Sequence, residues 1–194
     1  MKLIVASNNQ HKISEIKKIL QKLHMDVLSL KDAGIDIEVV EDGETFEENA
    51  YKKAKEVFDL VKDAYVLADD TGLMVDAING APGVYSARFS GIDATYEQNN
   101  AKLLDLLKDT QDKDRGAKFV CVMVLIMGSD RIVKVRGEVK GRILKDTRGE
   151  NGFGYDPLFY VEEFGKTFAQ MSEEEKNSIS HRGRALEKLR EALR

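Results

Sequence analysis

The stretch "AKFVCVMVLIM", Ala117 to Met127, is a nearly unbroken apolar run. A strand with one wet face alternates; a run like this reads as a strand buried on both faces. "GSD" then supplies a turn, and "RIVKVRGEVKGRI" alternates strictly. Val133, Val135, Val139 and Ile143 face one way, and Lys134, Arg136, Glu138, Lys140 and Arg142 the other. Gly137 and Gly141 fall on the apolar side, which permits a bend or a close approach. A long hairpin with one doubly covered strand therefore sits in the C-terminal half, and the other elements must be arranged around it.

Those elements alternate in type. A strand is expected at about Lys2 to Ala6. A helix follows, with Ile13, Ile16, Ile19, Leu20 and Leu23 on one face. A short strand is expected near Ile35 to Val40, before the acidic stretch "EDGETFEENA". The next helix starts at about Phe46 and turns Phe46, Ala50, Ala54, Val57, Phe58 and Val61 inward. "YVLADD" reads as a strand ending in two carboxylates, with "TGLMVDAI" as a short extended continuation. "NGAPGVYSARFSG" is a loop. A helix begins near Thr95, where T-Y-E-Q fits a capping box, and buries Leu103, Leu104 and Leu107. After the hairpin, "GENGFGYDPLFYV" is a loop running into a strand. A short helix capped by Ser172 with Glu175 at its third position precedes "SHRGRALEKLREAL". The order mixes parallel crossovers with an antiparallel hairpin, so the fold class is α/β with a mixed sheet.

At 194 residues, 42% apolar and 33% charged, the chain is globular and about one domain long. A net charge of −4 argues against a nucleic-acid polymer as partner. The one cysteine, Cys121, lies inside the apolar strand, and the three histidines are scattered, so neither a disulfide nor a Cys/His metal centre is expected. No run of about 18 apolar residues and no leader-like segment occurs, which leads to the expectation of a cytoplasmic protein without membrane contact.

Several stretches carry chemistry-bearing residues. The first strand stops at Ser7-Asn8-Asn9-Gln10-His11-Lys12, a strand–loop–helix start without the glycines of a P-loop or dinucleotide fingerprint. Lys12 at the helix start opposes the macrodipole, and a bound phosphate would reverse that sign. Taken alone, the loop is better read as ordinary capping by Ser or Asn beside a solvated lysine. In "EVVEDGETFEEN", Thr45 and Glu48 form a capping box. That leaves Glu41, Asp42 and Glu44 either solvated or gathered on a cation. In "LADDTGL", Asp69 and Asp70 point to opposite strand faces, so one can meet a ligand while the other pins the loop. Mg²⁺ needs only one or two protein carboxylates. In "GFGYDP", the glycines allow close approach, an aromatic can stack a base and the acid can pair with a base or ribose; the same residues would equally suit a turn with aromatics in the core. Lys176, His181 and Arg182 are either donors to a ligand or a basic surface patch.

Together these stretches resemble one family from end to end. "SNNQHKISE" fits an S/T-x-N-x-x-K-x-x-E opening, and "GETFEENAYKKA", "LADDTGLMVDAINGAPGVYSARFSG", "GFGYDPLF" and "SHRGRAL" follow in order and spacing. The chain is similar to the inosine triphosphate pyrophosphatases of the Ham1/RdgB type. The resemblance implies hydrolysis of ITP, dITP and XTP to monophosphate and pyrophosphate with Mg²⁺. It implies a single domain over 1–194, an elongated mixed sheet with flanking helices, a nucleotide cleft between two lobes, and a homodimer. Carried over by motif, Asp70 is the general base and a metal ligand, and Glu41 the other metal ligand. Ser7, Asn8, Asn9, Gln10, His11 and Lys12 hold phosphates, and Thr71 is a neighbouring substrate contact. Phe153, Gly154, Tyr155, Asp156, Lys176, His181 and Arg182 form the base and sugar pocket. Other readings of the same residues are a pyrophosphatase for modified pyrimidines or several NTPs, and a non-catalytic nucleotide sensor.

Overall fold

A computed structural model describes residues 2–20, 26–61 and 63–193. In chain order its main elements are β1 (Lys2–Val5), α1 (Gln10–Leu20), β2 (Asp26–Ser29), α2 (Phe46–Leu60), β3 (Tyr65–Val75), α3 (Tyr96–Leu106), β4 (Gly116–Gly128), β5 (Arg131–Ile143), β6 (Phe159–Val161), β7 (Lys166–Thr167), α4 (Glu173–Ile179) and α5 (His181–Ala192). One seven-stranded sheet runs in the order β2-β1-β3-β4-β5-β6-β7. β1 pairs in parallel with β2 and β3, while β6 is antiparallel to both β5 and β7. The sheet is thus mixed, as expected. Among the described residues no helix is long and apolar enough to cross a membrane.

The hairpin is formed by β4 and β5, neighbours in the sheet. From Phe119 to Ile126 every residue of β4 is buried, which places apolar cover on both faces. Gly141 meets the close approach expected of it. A Cβ there would lie 2.4 Å from the Tyr160 carbonyl oxygen, on the paired strand β6.

The chain divides into two compact units. The first comprises Met1–Asp70, Cys121–Gly137 and Arg182–Arg194, and the second Thr71–Val120 and Glu138–His181. The first unit's core gathers Leu3, Val5 and Leu67 from the strands, Ile13, Ile16 and Leu20 from α1, Cys121, Met123 and Leu125 from β4, and Leu186 and Leu189 from α5. In the second, Leu73, Leu103, Leu107, Val139, Ile143, Phe159 and Phe168 are central.

Two expectations change. Ile35 to Val40 is not a strand; the second strand is Asp26–Ser29. Residues 35–40 alternate in exposure as an extended segment does, yet join no ladder, and Val40 is largely exposed. Alternation reports backbone extension, not pairing. β3 also does not end at its carboxylates: the expected extended continuation belongs to the same strand, which runs on to Val75. What ends there is its partner: the β1 register stops at Val5 opposite Leu67, so Asp69 and Asp70 lie just beyond the carboxyl end of β1. Leu23, expected on the first helix face, lies outside the described residues.

Candidate active site

In the first unit, Ser7 to Asn9 form the turn between β1 and α1. The Asn9 Oδ1 accepts from the backbone N–H groups of His11 (3.0 Å) and Lys12 (3.2 Å), capping α1. Ser7 Oγ accepts from Asn9 N, and Asn8 Nδ2 donates to the Ile37 carbonyl. The loop's polar side chains thus set its shape, and Gln10 and His11 open the helix. Lys12 is not solvated. Its ammonium sits 3.1 Å from Asp69 Oδ2. Burial acts to lower its pKa, but Asp69, backed by Asp70 and Glu41, outweighs that, and the net shift is upward. The Asp69 carboxylate also receives Arg182 Nη2 at 3.3 Å, and Arg182 Nη1 pairs with Glu15. Asp69 therefore holds two cations.

On the other strand face, Asp70 is buried. Its Oδ2 accepts from Asn49 Nδ2 at 3.1 Å, and its Oδ1 lies 3.9 Å from the Lys53 ammonium. Lys53 also contacts Glu41 Oε1 at 3.0 Å. Burial, opposed by Lys53 and Lys12, pushes the Asp70 pKa up to about 6. Asn49 and Lys53 are delivered by α2, which starts at Thr45 with the full capping box to Glu48. Asp42 pairs at the surface with Lys52, 2.7 Å away. The acidic loop is therefore drawn onto two lysines of the helix that follows it.

The second unit carries the remaining candidates. The Asp156 Oδ2 accepts from the Phe153 backbone N–H (2.9 Å) and from Lys176 Nζ (2.7 Å). Lys176 lies 4.8 Å from the Phe153 ring centroid and 5.6 Å from that of Phe168. Gly152 has φ +76°, and a Cβ there would fall 2.1 Å from Asp156 Oδ2, so the loop closes over this carboxylate only with glycine. Gly154, at φ +63°, gives its carbonyl to Asn100 Nδ2 at 3.0 Å. Tyr155 faces the core. Its hydroxyl donates to the Ser86 carbonyl at 2.8 Å, and burial raises its pKa. The buried His181 ring stacks on Phe119 with centroids 4.7 Å apart. Thr71 follows Asp70 on β3 and is half-buried. Lys176, His181 and Arg182 are 6%, 3% and 1% exposed, which rules out a basic surface patch. Arg182 belongs with Glu15 and Asp69 in the first unit, and Lys176 with Asp156 in the second.

The sequence pattern of the Ham1 family matches residues 3–192. The chain belongs to the Ham1 family. It is 52% identical to the dITP/XTP pyrophosphatase of Clostridium perfringens, over all of this chain and 97% of that one. It is 49% identical to the protein of the same name from Clostridium tetani, over 99% and 96%. Among solved structures, the Ham1 protein of Staphylococcus aureus superposes with a TM-score of 0.88 at 42% identity, covering 100% of this chain and 98% of that one.

In this Ham1-family chain, inspection of the sequence misses Asn49 and Lys53. Both lie on the inward stripe of α2 with Phe46, Ala50, Ala54 and Val57, and both are buried. The signal was present: polar residues on an otherwise apolar helical face need buried partners. The acids fit a divalent cation. Glu41 and Asp70 both reach Lys53, which shows that they can share a positive charge. Among the described residues no three metal-ligating side chains cluster. Two carboxylates suit a hard cation that completes its shell with phosphate oxygens and water.

Proposed function

We propose that this chain hydrolyses inosine- and xanthosine-type triphosphates (ITP, dITP and XTP) to the nucleoside monophosphate and pyrophosphate. The observation that carries the reading is Asp70. It is a buried carboxylate of raised proton affinity, set among lysines, in a chain matched along its whole length by proteins named dITP/XTP pyrophosphatase. A pKa of about 6 leaves Asp70 ionised at neutral pH yet basic enough to take a proton from an attacking water. Asn49 fixes the orientation of that carboxylate. Lys12 and the N-terminal amides of α1 neutralise phosphate charge, which removes the penalty of a cation at a helix start. Glu41 and Asp70 would hold Mg²⁺, which when bound supplies charge neutralisation at the phosphates.

For the base, Phe153 offers a ring face and Lys176 an oriented donor. Hypoxanthine and xanthine present a 6-keto acceptor to such a donor. Adenine presents an amino group and would leave it unmatched, a costly fault in a buried site. Gly154, Asp156, Thr71, His181 and Arg182 complete the contacts in this reading, with Ser7 to His11 shaping the phosphate loop. A homodimer in the cytoplasm belongs to the same proposal, on the family resemblance.

One assay tests it. Incubation with ITP, XTP, dTTP, ATP and GTP plus Mg²⁺ should release pyrophosphate and monophosphate, fastest from ITP and XTP. Orthophosphate as the direct product, or equal rates with ATP, would overturn the reading. Tight ITP binding without turnover would favour a sensor.

A further inference from the structure

Glu15 has no part in the chemistry above, yet it ends the buried chain of charges that reaches Lys12. We infer that Glu15 is a positioning residue for the phosphate-binding lysine. It acts by taking one end of the Arg182 guanidinium, so that Arg182 shares the Asp69 oxygen with Lys12. The inference rests on the proposed role of Lys12.

The geometry is specific. Arg182 Nη2 and Lys12 Nζ converge on the same atom, Asp69 Oδ2, at 3.3 and 3.1 Å. Two cations on one oxygen repel each other, and the guanidinium has the planar fork that grips a carboxylate with two bonds. Without Glu15, the guanidinium is free to turn and grip Asp69 with two bonds, which changes the geometry in which the ammonium is held. Glu15 ties down the other terminal nitrogen, Nη1, and so fixes the orientation in which the guanidinium meets Asp69. The chain then reads Glu15, Arg182, Asp69, Lys12, with alternating signs and no net charge.

Burial gives the competition weight. The Asp69 and Arg182 side chains are 0% and 1% exposed, and Glu15 and Lys12 only 17% and 16%. Water therefore screens little of it. Sequence spacing delivers the ends: Glu15 stands three residues after Lys12 on α1, on the same helical face. Arg182 lies in the first turn of α5, and neither α1 nor α5 has an acid in its first turn. Both cations therefore stand at helix starts, where the macrodipole opposes them. Asp69 serves both, and Glu15 decides how it is shared.

The experiment is a double-mutant cycle on the full chain, with Glu15→Gln, Lys12→Ala and the double variant assayed on ITP with Mg²⁺. Glu15→Gln should raise KM about tenfold with kcat changed less than threefold. In the Lys12→Ala background the same change should add less than twofold. Glu15→Asp should restore most of the KM, since it returns the charge. A normal KM in Glu15→Gln would overturn the inference. So would an equal loss in both backgrounds, because a merely structural role adds whatever stands at position 12. If Glu15→Gln does not fold, Glu15→Asp carries the same cycle, with a smaller KM rise expected in the Lys12 background alone. A Lys12→Ala enzyme with unchanged kinetics would remove the phosphate role of Lys12 and this inference with it. A weakened Lys12→Ala beside an unaffected Glu15→Gln would remove the inference only.

Discussion

The two units treat charge in opposite ways. In the first, the candidate groups form interlinked ionic chains, Glu15–Arg182–Asp69–Lys12 and Glu41–Lys53–Asp70. In the second, the Lys176–Asp156 pair is framed by aromatic rings, Phe153 and Phe168 beside the ammonium, with Phe119 and His181 stacked nearby. The difference teaches a division of labour. In the proposed reading, the first unit's charged groups grip phosphates and poise a base, and would act on every nucleotide alike. In the same reading, the second unit's ring faces and one oriented donor would distinguish the base. Substitutions in the first unit should then act on all substrates alike, through kcat at Asp70 and through KM at Lys12 and Glu15, and those in the second should change affinity and preference between bases.

The hardest test of this division is Asp70→Asn. Loss of a general base costs roughly 10²–10⁴ in rate. We expect kcat to fall about 10³-fold for ITP and XTP alike, with KM within a few-fold, measured by pyrophosphate release. Near-normal rates would break the assignment. The same variant carries a pH signature. Burial holds the native Asp70 pKa at about 6, above its ordinary value. Between the two values the native state keeps a proton that the unfolded chain has released. Wild-type stability therefore falls as pH rises from about 4 to 6 and stays lowered above that. Without metal, Asp70→Asn should be more stable than wild type at pH 7.5 by about 3 kcal/mol. The gain should fade toward pH 4 in urea melts with chelator. A gain that does not depend on pH would show that Asp70 is not held above its ordinary value.

A smaller effect is expected from Phe153→Ala in the second unit. Base stacking on an aromatic ring is worth about 1–3 kcal/mol. KM should rise roughly ten- to a hundredfold for inosine and xanthosine substrates, with kcat nearly unchanged. A fall in kcat at constant KM would mean that the ring supports chemistry rather than binding, and the contrast between the units would fail.

How far the sequence reveals this arrangement depends on what each pattern reports. The β4–β5 hairpin is legible because burial on both faces and alternation are direct consequences of side-chain period. The capping boxes at Thr45, Thr95 and Ser172 are legible because the hydrogen bonds are local. The β2 strand is missed because four residues carry too little pattern. Residues 35–40 are misread because an unpaired extended segment alternates like a strand. At the site, the motif residues are visible as types, but their partners are not. Asp69 with Arg182 is a contact across 113 positions, and Asn49 with Asp70 across 21. No local rule supplies such pairs. What was readable was the anomaly that requires them: Lys12 at a helix start, and Asn49 and Lys53 on an apolar stripe.

The smallest effects sharpen the comparison most. α2 and α3 lie in different units and begin with the same device, Thr45 accepting from Glu48 N at 3.1 Å and Thr95 from Gln98 N at 3.2 Å. Replacing either threonine with alanine should cost about 1 kcal/mol, since each removes one cap. The kinetic consequences should differ. α2 delivers Asn49 and Lys53 to Asp70, whereas α3 delivers Asn100 to the Gly154 carbonyl. Thr45→Ala should lower kcat two- to threefold, and Thr95→Ala should raise KM by a similar factor, a scale set by fractions of a kcal/mol. Thermal melts and steady-state kinetics on the two variants decide it. If equal stability losses give the same kinetic change, loosening a helix acts on the enzyme as a whole. If they split as expected, each helix serves its own half of the chemistry.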